Sequence, residues 1–288
     1  RGLGDVYKRQ SSPNFDGATP TVAPLASALR GYRRSNAVKP RLFALGLILS
    51  ILFSLFGFVR PTASYAAPTA AYSANVLDYG IYWFGLGNVS QKAEPGVANP
   101  YFSPGKPTVI YIHGWQNGSS QRGSRETFNY KQNDATYGVD VNMADAWINA
   151  GWNIGIFYWN QFADEGEVRD AEAKIWSAAG PQGMRWRKAD GTYSTAGSPS
   201  KSAATLFVDA YRSAMSGYTG SNVRLGGHSL GSQMVINGGK QISDLVDAGT
   251  LPANLRPKRI ALLDPFWSKD AKAYLGNKWT GEVSCEYV

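Results

Sequence analysis

The stretch Asn222–Gly231, NVRLGGHSLG, decides how the rest of the chain is read. Val223 and Leu225 sit two apart in a short apolar run, which predicts a strand over Asn222–Gly227. The pattern Gly227-His228-Ser229-Leu230-Gly231 follows at once, and Ser229–Val246 reads as a helix. A G-x-S-x-G between a strand and a helix is the form in which a sharp turn lifts a serine hydroxyl clear of a sheet, with small neighbours letting the backbone pack closely. The N-terminus of the following helix then favours negative charge developing beside it. In a chain with 32 glycines the five-residue spacing is weak by itself. The strand before it and the helix after it give it weight. The plainer reading is a glycine-rich βα turn with a capping serine.

Working outward, strands and helices alternate. Strands are expected at Val76–Phe84, Thr108–Ile112, Asn153–Tyr158 and Lys258–Asp264. Helical spacing is expected at Val141–Ala150, Glu165–Ala179 and Ser202–Ser216, the last with apolar residues at Ala203, Leu206, Phe207, Ala210 and Tyr211. Asn117–Thr136 is polar and reads as a surface loop. The Gly-, Ser- and Pro-rich run 180–200 reads as an insertion or cap loop. Such alternation predicts an α/β fold with a mostly parallel central sheet. Ligands in such sheets bind at the carboxyl ends of the strands, and two further motifs fall there.

His113-Gly114-Trp115 follows the strand TVIYI, and Leu262-Leu263-Asp264-Pro265 ends the last strand. Acyl transfer needs two N–H donors aimed at the oxyanion. The residue after the nucleophile, Leu230, offers one, and the loop after an earlier strand offers the other, Trp115. His113 reads as a structural histidine holding that loop, and Gly114 as part of the same support. Asp264 stands where a carboxylate could orient an imidazole, or where a strand-end aspartate could bond its own backbone. Asp244 and Asp247 read as a solvated helix face. Trp115, Phe157, Tyr158, Trp159 and Phe162 would either line an apolar acyl site or form ordinary core.

Composition removes several classes. One cysteine, Cys285, excludes an internal disulfide framework and a cysteine-based zinc site, and two histidines, His113 and His228, exclude a His-rich metal site. No metal or other cofactor is expected. The net charge of +8 lies mostly in residues 1–66, which hold nine Lys/Arg against two Asp/Glu. The remainder is nearly neutral, so nucleic acid is not an expected partner. Residues 1–41 read as a non-native or disordered leader, with residues 1–10 similar to translated adapter sequence. Leu42–Val59 is an 18-residue apolar run flanked by Lys39 and Arg41 on one side and by small residues on the other. Residues 42–66 therefore read as a signal peptide, with Ser64 and Ala66 suiting the −3 and −1 positions, or else as an N-terminal anchor. Both send residues 67–288 out of the cytoplasm. Asn88-Val-Ser90 and Asn117-Gly-Ser119 match the glycosylation sequon.

At YIHGW, GGHSLGS and LLDP, taken in that order, the chain resembles the pancreatic-lipase-like branch of the α/β-hydrolases over roughly residues 75–270. The resemblance implies an α/β-hydrolase fold with Ser229 as nucleophile, Asp264 as triad acid, and the N–H groups of Trp115 and Leu230 as the oxyanion hole. It implies a lipase or esterase acting on ester or lipid substrates and able to meet a lipid or membrane interface, while export rests on residues 42–66. The gap of 35 residues from Ser229 to Asp264 is longer than is usual in that group, with the extra length expected in Gln241–Pro257. The family's histidine lies downstream of the acid, and no histidine follows Asp264. The expectation is a chain cut short at Val288, its last strands missing. The alternative is a hydrolase-fold binding or surface protein without the base.

Overall fold

A computed structural model of the chain describes residues 72–129 and 141–288. The leader of residues 1–41 and the signal or anchor segment of 42–66 lie outside the described residues, as does part of the polar loop 117–136. Among the described residues no helix is long and apolar enough to cross a membrane.

Six strands form the central sheet: β1 (Gly80–Gly85), β2 (Val89–Lys92), β3 (Thr108–Ile112), β4 (Asn153–Tyr158), β7 (Val223–His228) and β8 (Arg259–Leu263). Their spatial order is β2-β1-β4-β3-β7-β8. β4, β3, β7 and β8 run parallel, and β1 is antiparallel to both of its neighbours. The fold is α/β with a mostly parallel central sheet, as the alternation of elements required. Between β4 and β7 a small separate hairpin, β5 (Trp186–Arg187) and β6 (Tyr193–Ser194), occupies the predicted insertion.

Burial follows the sequence patterns. Every residue of β4, NIGIFY, is buried, as expected of a parallel strand covered on both faces. β3 alternates instead: Thr108, Ile110 and Ile112 are buried, and Val109 and Tyr111 half-buried on the other face. The long helices are α5 (Ala203–Ala214) and α6 (Leu230–Asp247), and α4 (Val168–Trp176) packs against both. They contribute Phe207, Tyr211, Met234 and Ile175 to one core with Trp83, Ile110, Ile112 and Leu225. A smaller core on the opposite face joins Tyr82, Phe84, Ile154, Ile156 and Tyr158 to α2 (Met143–Asn149). Three short helices complete the set: α1 (Ser119–Arg122), α3 (Asn160–Ala163) and α7 (Thr280–Glu286).

Several boundaries differ from expectation for local reasons. The first strand starts at Gly80, not Val76, whose side is 69% exposed. Before it, side chains replace the ladder: the Asp78 N–H donates to Gln161 (2.8 Å), and the Asp78 carboxylate binds Lys92 and Arg125. α4 begins three residues later than predicted, after Glu167, whose backbone is extended (φ −116°, ψ 133°). β2, reading VSQK, and α7 carried no apolar period to detect. Beyond β3, the face of the sheet away from α6 opens into a groove of about 610 Å³, bounded by Val109, Tyr111, Trp147, Arg224, His228 and Leu263.

Candidate active site

The turn between β7 and α6 is a backbone that few residues would adopt. Ser229 has φ 53° and ψ −121°, although it is not a glycine. Strain of this kind persists only where the surroundings over-determine it. Here two glycines do so through close contact. A Cβ at Gly227 would lie 2.1 Å from the Gly231 carbonyl oxygen, and one at Gly231 would lie 2.1 Å from the Ile112 carbonyl oxygen. The elbow is thus pressed both on itself and on the end of β3. The Ser229 N–H donates to the Leu263 carbonyl (3.0 Å), and the Ser229 carbonyl accepts from the Phe266 N–H (3.5 Å). The serine is half-buried, and Leu230, fully buried, opens α6 with one of the N–H groups a helix leaves without an internal acceptor.

The loop after β3 lies directly against the serine. A Cβ at Gly114 would stand 2.8 Å from the Ser229 Cβ and 3.2 Å from its Oγ. That close approach brings the His113-Gly114-Trp115 segment and Ser229 together, as the two motifs separately predicted for strand ends. His113 is fully buried behind the loop. Its Nδ1 donates to the Gly114 carbonyl (2.9 Å), while Nε2 accepts the Trp159 N–H (3.3 Å). The Trp159 indole N–H donates back to the His113 carbonyl (3.0 Å), with the two rings nearly parallel. Burial pushes the His113 imidazole below its usual pKa, which keeps the neutral form that these bonds need. Both ring nitrogens are engaged in holding the loop.

Trp115 is 37% exposed, and its indole N–H donates to the Glu165 carbonyl (2.8 Å). The Asn117 side-chain amide donates to the same oxygen (3.2 Å). The Asp164 carboxylate receives the N–H groups of Gly118 (2.6 Å) and Ser120 (2.9 Å). The Glu165 carboxylate is fully buried between Lys174 (2.5 Å) and Arg185, whose guanidinium grips it with two bonds of 2.9 and 2.6 Å. Burial would raise the Glu165 pKa, and the Arg185 and Lys174 cations overcome it, so the carboxyl titrates lower than usual. Burial brings the Lys174 ammonium down to about 8 despite its carboxylate partner. The hairpin reaches this corner as well, with Arg187 bonded to Gln121 (3.3 Å) on α1.

Asp264 follows Leu263 directly, is solvent-exposed and has φ 44°. The segment after it is anchored by Glu172, a buried carboxylate on α4. Glu172 accepts from Gln233 (2.6 Å), the Ser268 N–H (2.9 Å), the Ser268 hydroxyl and Thr280 (2.9 Å). Gln233, on the first turn of α6, also donates to the Phe266 carbonyl (2.6 Å). His228 takes the other course: it lines the open groove on the face of the sheet away from α6.

Of the five aromatics weighed for an acyl site, only Trp115 reaches solvent. Phe157, Trp159 and Phe162 are 1% exposed or less and belong to the main core, and Tyr158, at 3%, to the smaller one. The apolar-lining reading of those four is replaced by the core reading. Asp164, Glu165, Glu172 and Gln233 sit outside every motif the sequence carries. The available signal was the adjacent pair Asp164-Glu165 closing the otherwise uncharged run WNQFA, where two charges after a buried strand ask for partners. Among the described residues no group of His, Cys, Asp and Glu could hold a metal ion.

No family model matches the chain, and no curated protein matches it. Among solved structures the chain is similar to an inhibited esterase B from Lactobacillus rhamnosis, with 12% identity over 78% of this chain and 56% of that one, at a TM-score of 0.24. It is similar to esterase B from the same organism inhibited with a tributyrin phosphonate, with 13% identity over 79% and 60%, at a TM-score of 0.25. A third is brefeldin A esterase, a bacterial homologue of human hormone sensitive lipase, with 15% identity over 74% and 47%, at a TM-score of 0.22. The chain spans between 47% and 60% of the length of these proteins.

Proposed function

We propose that the chain is an exported serine hydrolase of the α/β-hydrolase type that cleaves carboxylic esters, with a lipid or simple ester as substrate. The observation that carries the reading is the strained Ser229 at a strand-to-helix elbow, with Gly114 of the post-β3 loop against its hydroxyl. In this reading Ser229 Oγ attacks the ester carbonyl and loses its proton to an imidazole base. The N–H groups of Leu230 and Trp115 bind the oxyanion. The C–O bond to the alcohol then breaks, the imidazolium returns its proton to the departing alcohol, and water releases the acid from the acyl-enzyme by the same steps in reverse. Asp264 orients the imidazole. The reading requires a base that neither His113, bound up in the loop, nor His228, in the far groove, supplies.

That same observation supports a second reading, in which the elbow is retained in a non-catalytic binding protein. Fluorophosphonate labelling of the protein separates the two. Strong labelling lost in Ser229→Ala supports the hydrolase. Labelling that survives Ser229→Ala removes the nucleophile, and none in the wild type favours the binding protein.

A further inference from the structure

We propose that Asp164 and Glu165 are positioning residues that hold the oxyanion loop from behind; the inference rests on the hydrolase reading of Ser229. The two side chains are completely buried just after α3, the short helix that follows β4, yet what they bind lies on other segments of the chain. The short helix α1 has Gly118 as its N-cap, a residue that offers no side-chain cap. Asp164 supplies the cap from 44 to 46 residues away, one carboxylate oxygen to each of two N–H groups. The neighbouring Glu165 carbonyl receives the indole of Trp115 and the amide of Asn117. Four groups spread over residues 115–120 therefore converge on one dipeptide, beginning at the residue after Gly114.

What fixes the dipeptide is the Glu165 carboxylate, clamped between Lys174 on α4 and Arg185 at the base of the hairpin. The Lys174 ammonium also donates to the carbonyls of Phe162 (3.1 Å) and Arg185 (2.6 Å), so its three protons all have acceptors. Burying such a pair costs more desolvation than an apolar filling would. Its return is a single geometry for the Glu165 carbonyl. An oxyanion donor is effective only if its N–H is already aimed where charge develops, and the Trp115 backbone is held by its own indole through that carbonyl.

Asp164→Asn replaces one acceptor oxygen by an amide donor facing an N–H. Trp115→Phe keeps the backbone N–H and removes only the indole anchor, so it serves where the first variant fails to fold. Hydrogen–deuterium exchange reads the loop without any chemistry. Both variants are expected to raise exchange at residues 115–120 while β7 and α6 keep wild-type protection. Ser229-dependent fluorophosphonate labelling is expected to slow by about 10- to 100-fold, the cost of a misplaced catalytic group. Unchanged exchange in the loop overturns the clamp. A loosened loop with unchanged labelling rate overturns its link to the oxyanion. If the wild type shows no Ser229-dependent labelling, the hydrolase reading has failed and takes the catalytic part of the inference with it, a result distinct from either of the others.

Discussion

A methyl group at Gly231 would have to share space with the Ile112 carbonyl oxygen, and the backbone atoms on both sides belong to fixed elements. Neither the end of β3 nor the first turn of α6 can yield as a flexible side chain would. Gly231→Ala is therefore expected to lower stability by about 3 kcal/mol, at the upper end for overpacking. Urea unfolding measures it, and a loss under about 1 kcal/mol would mean that the elbow is looser than its distances indicate. His113 carries a second prediction. Its folded pKa lies below the usual 6.5 because burial disfavours the charged ring. Below pH 6.5 the unfolded chain therefore takes up a proton that the native chain refuses. This contribution to stability is full above pH 6.5 and falls as pH drops towards the lower folded value. His113→Gln is expected to be less stable at pH 7.5, with the gap to wild type narrowing by pH 5.5. A gap that stays constant would show that His113 titrates alike in both states. Ser229, Gly114 and His113 were legible in the sequence because each sits in a tight local pattern at a strand end. Glu165 was not, since its partners Lys174 and Arg185 come from a helix and a hairpin that only the fold brings together.

Among the elements, α5 shows how local signals add up. Ser202 accepts the Thr205 N–H at its start, and Ala203, Leu206, Phe207 and Tyr211 form the buried stripe. Removing the cap leaves a helix N–H without its side-chain acceptor, so Ser202→Ala is expected to cost about 1 kcal/mol. Thermal melting tests this, with Ser202→Asp, which can cap equally well, expected to restore the wild-type midpoint; equal loss in both would assign the effect to something other than the cap. Elements with such a stripe or a β-branched run, α5, α6, β3 and β4, were read from the sequence to within about two residues at each end. α1 and α3 were not, because four residues make barely one turn and no period can emerge, and α7, reading TGEVSCE, carries no apolar stripe. The hairpin's two-residue strands, with only Trp186 buried in the core and Arg185 and Arg187 stacked on Tyr193, are too short to show an alternating pattern, which is why the run 180–200 read as a loop.

For the whole molecule, the near-neutral balance of residues 67–288 hides two clusters of paired charges, one buried and one half-buried. One is the Glu165 cluster. The other is Asp78, where Arg125 lies over the Tyr72 ring at 3.8 Å and the Tyr158 ring at 4.6 Å while binding the carboxylate, with Lys92 on its other oxygen. Burial alone would raise both carboxyl pKa values; the surrounding cations and hydrogen bonds overcome it and hold them below normal. The sign follows from proton counting. Above the unfolded values, near 3.8 for Asp78 and 4.5 for Glu165, the stabilisation is fully present. As pH falls through the lower folded values, the native state must take up protons that the unfolded state already holds, and the stabilisation is lost. The structure ties Tyr72, β1 and β2 through Asp78, and α4, the hairpin and the loop at Ser229 through Glu165, so acid should loosen both regions together. The melting temperature is expected to hold between pH 7 and 5 as far as these groups are concerned, and to drop steeply below pH 4.5. Asp78→Asn separates this from general acid effects. The variant should melt well below wild type at pH 7 and converge on it as pH falls through the lowered folded value of Asp78, since acid removes from the wild type the same charge that the substitution removes at every pH. Parallel curves for the two proteins would show that Asp78 contributes no pH-dependent stability and that the acid transition has its origin elsewhere.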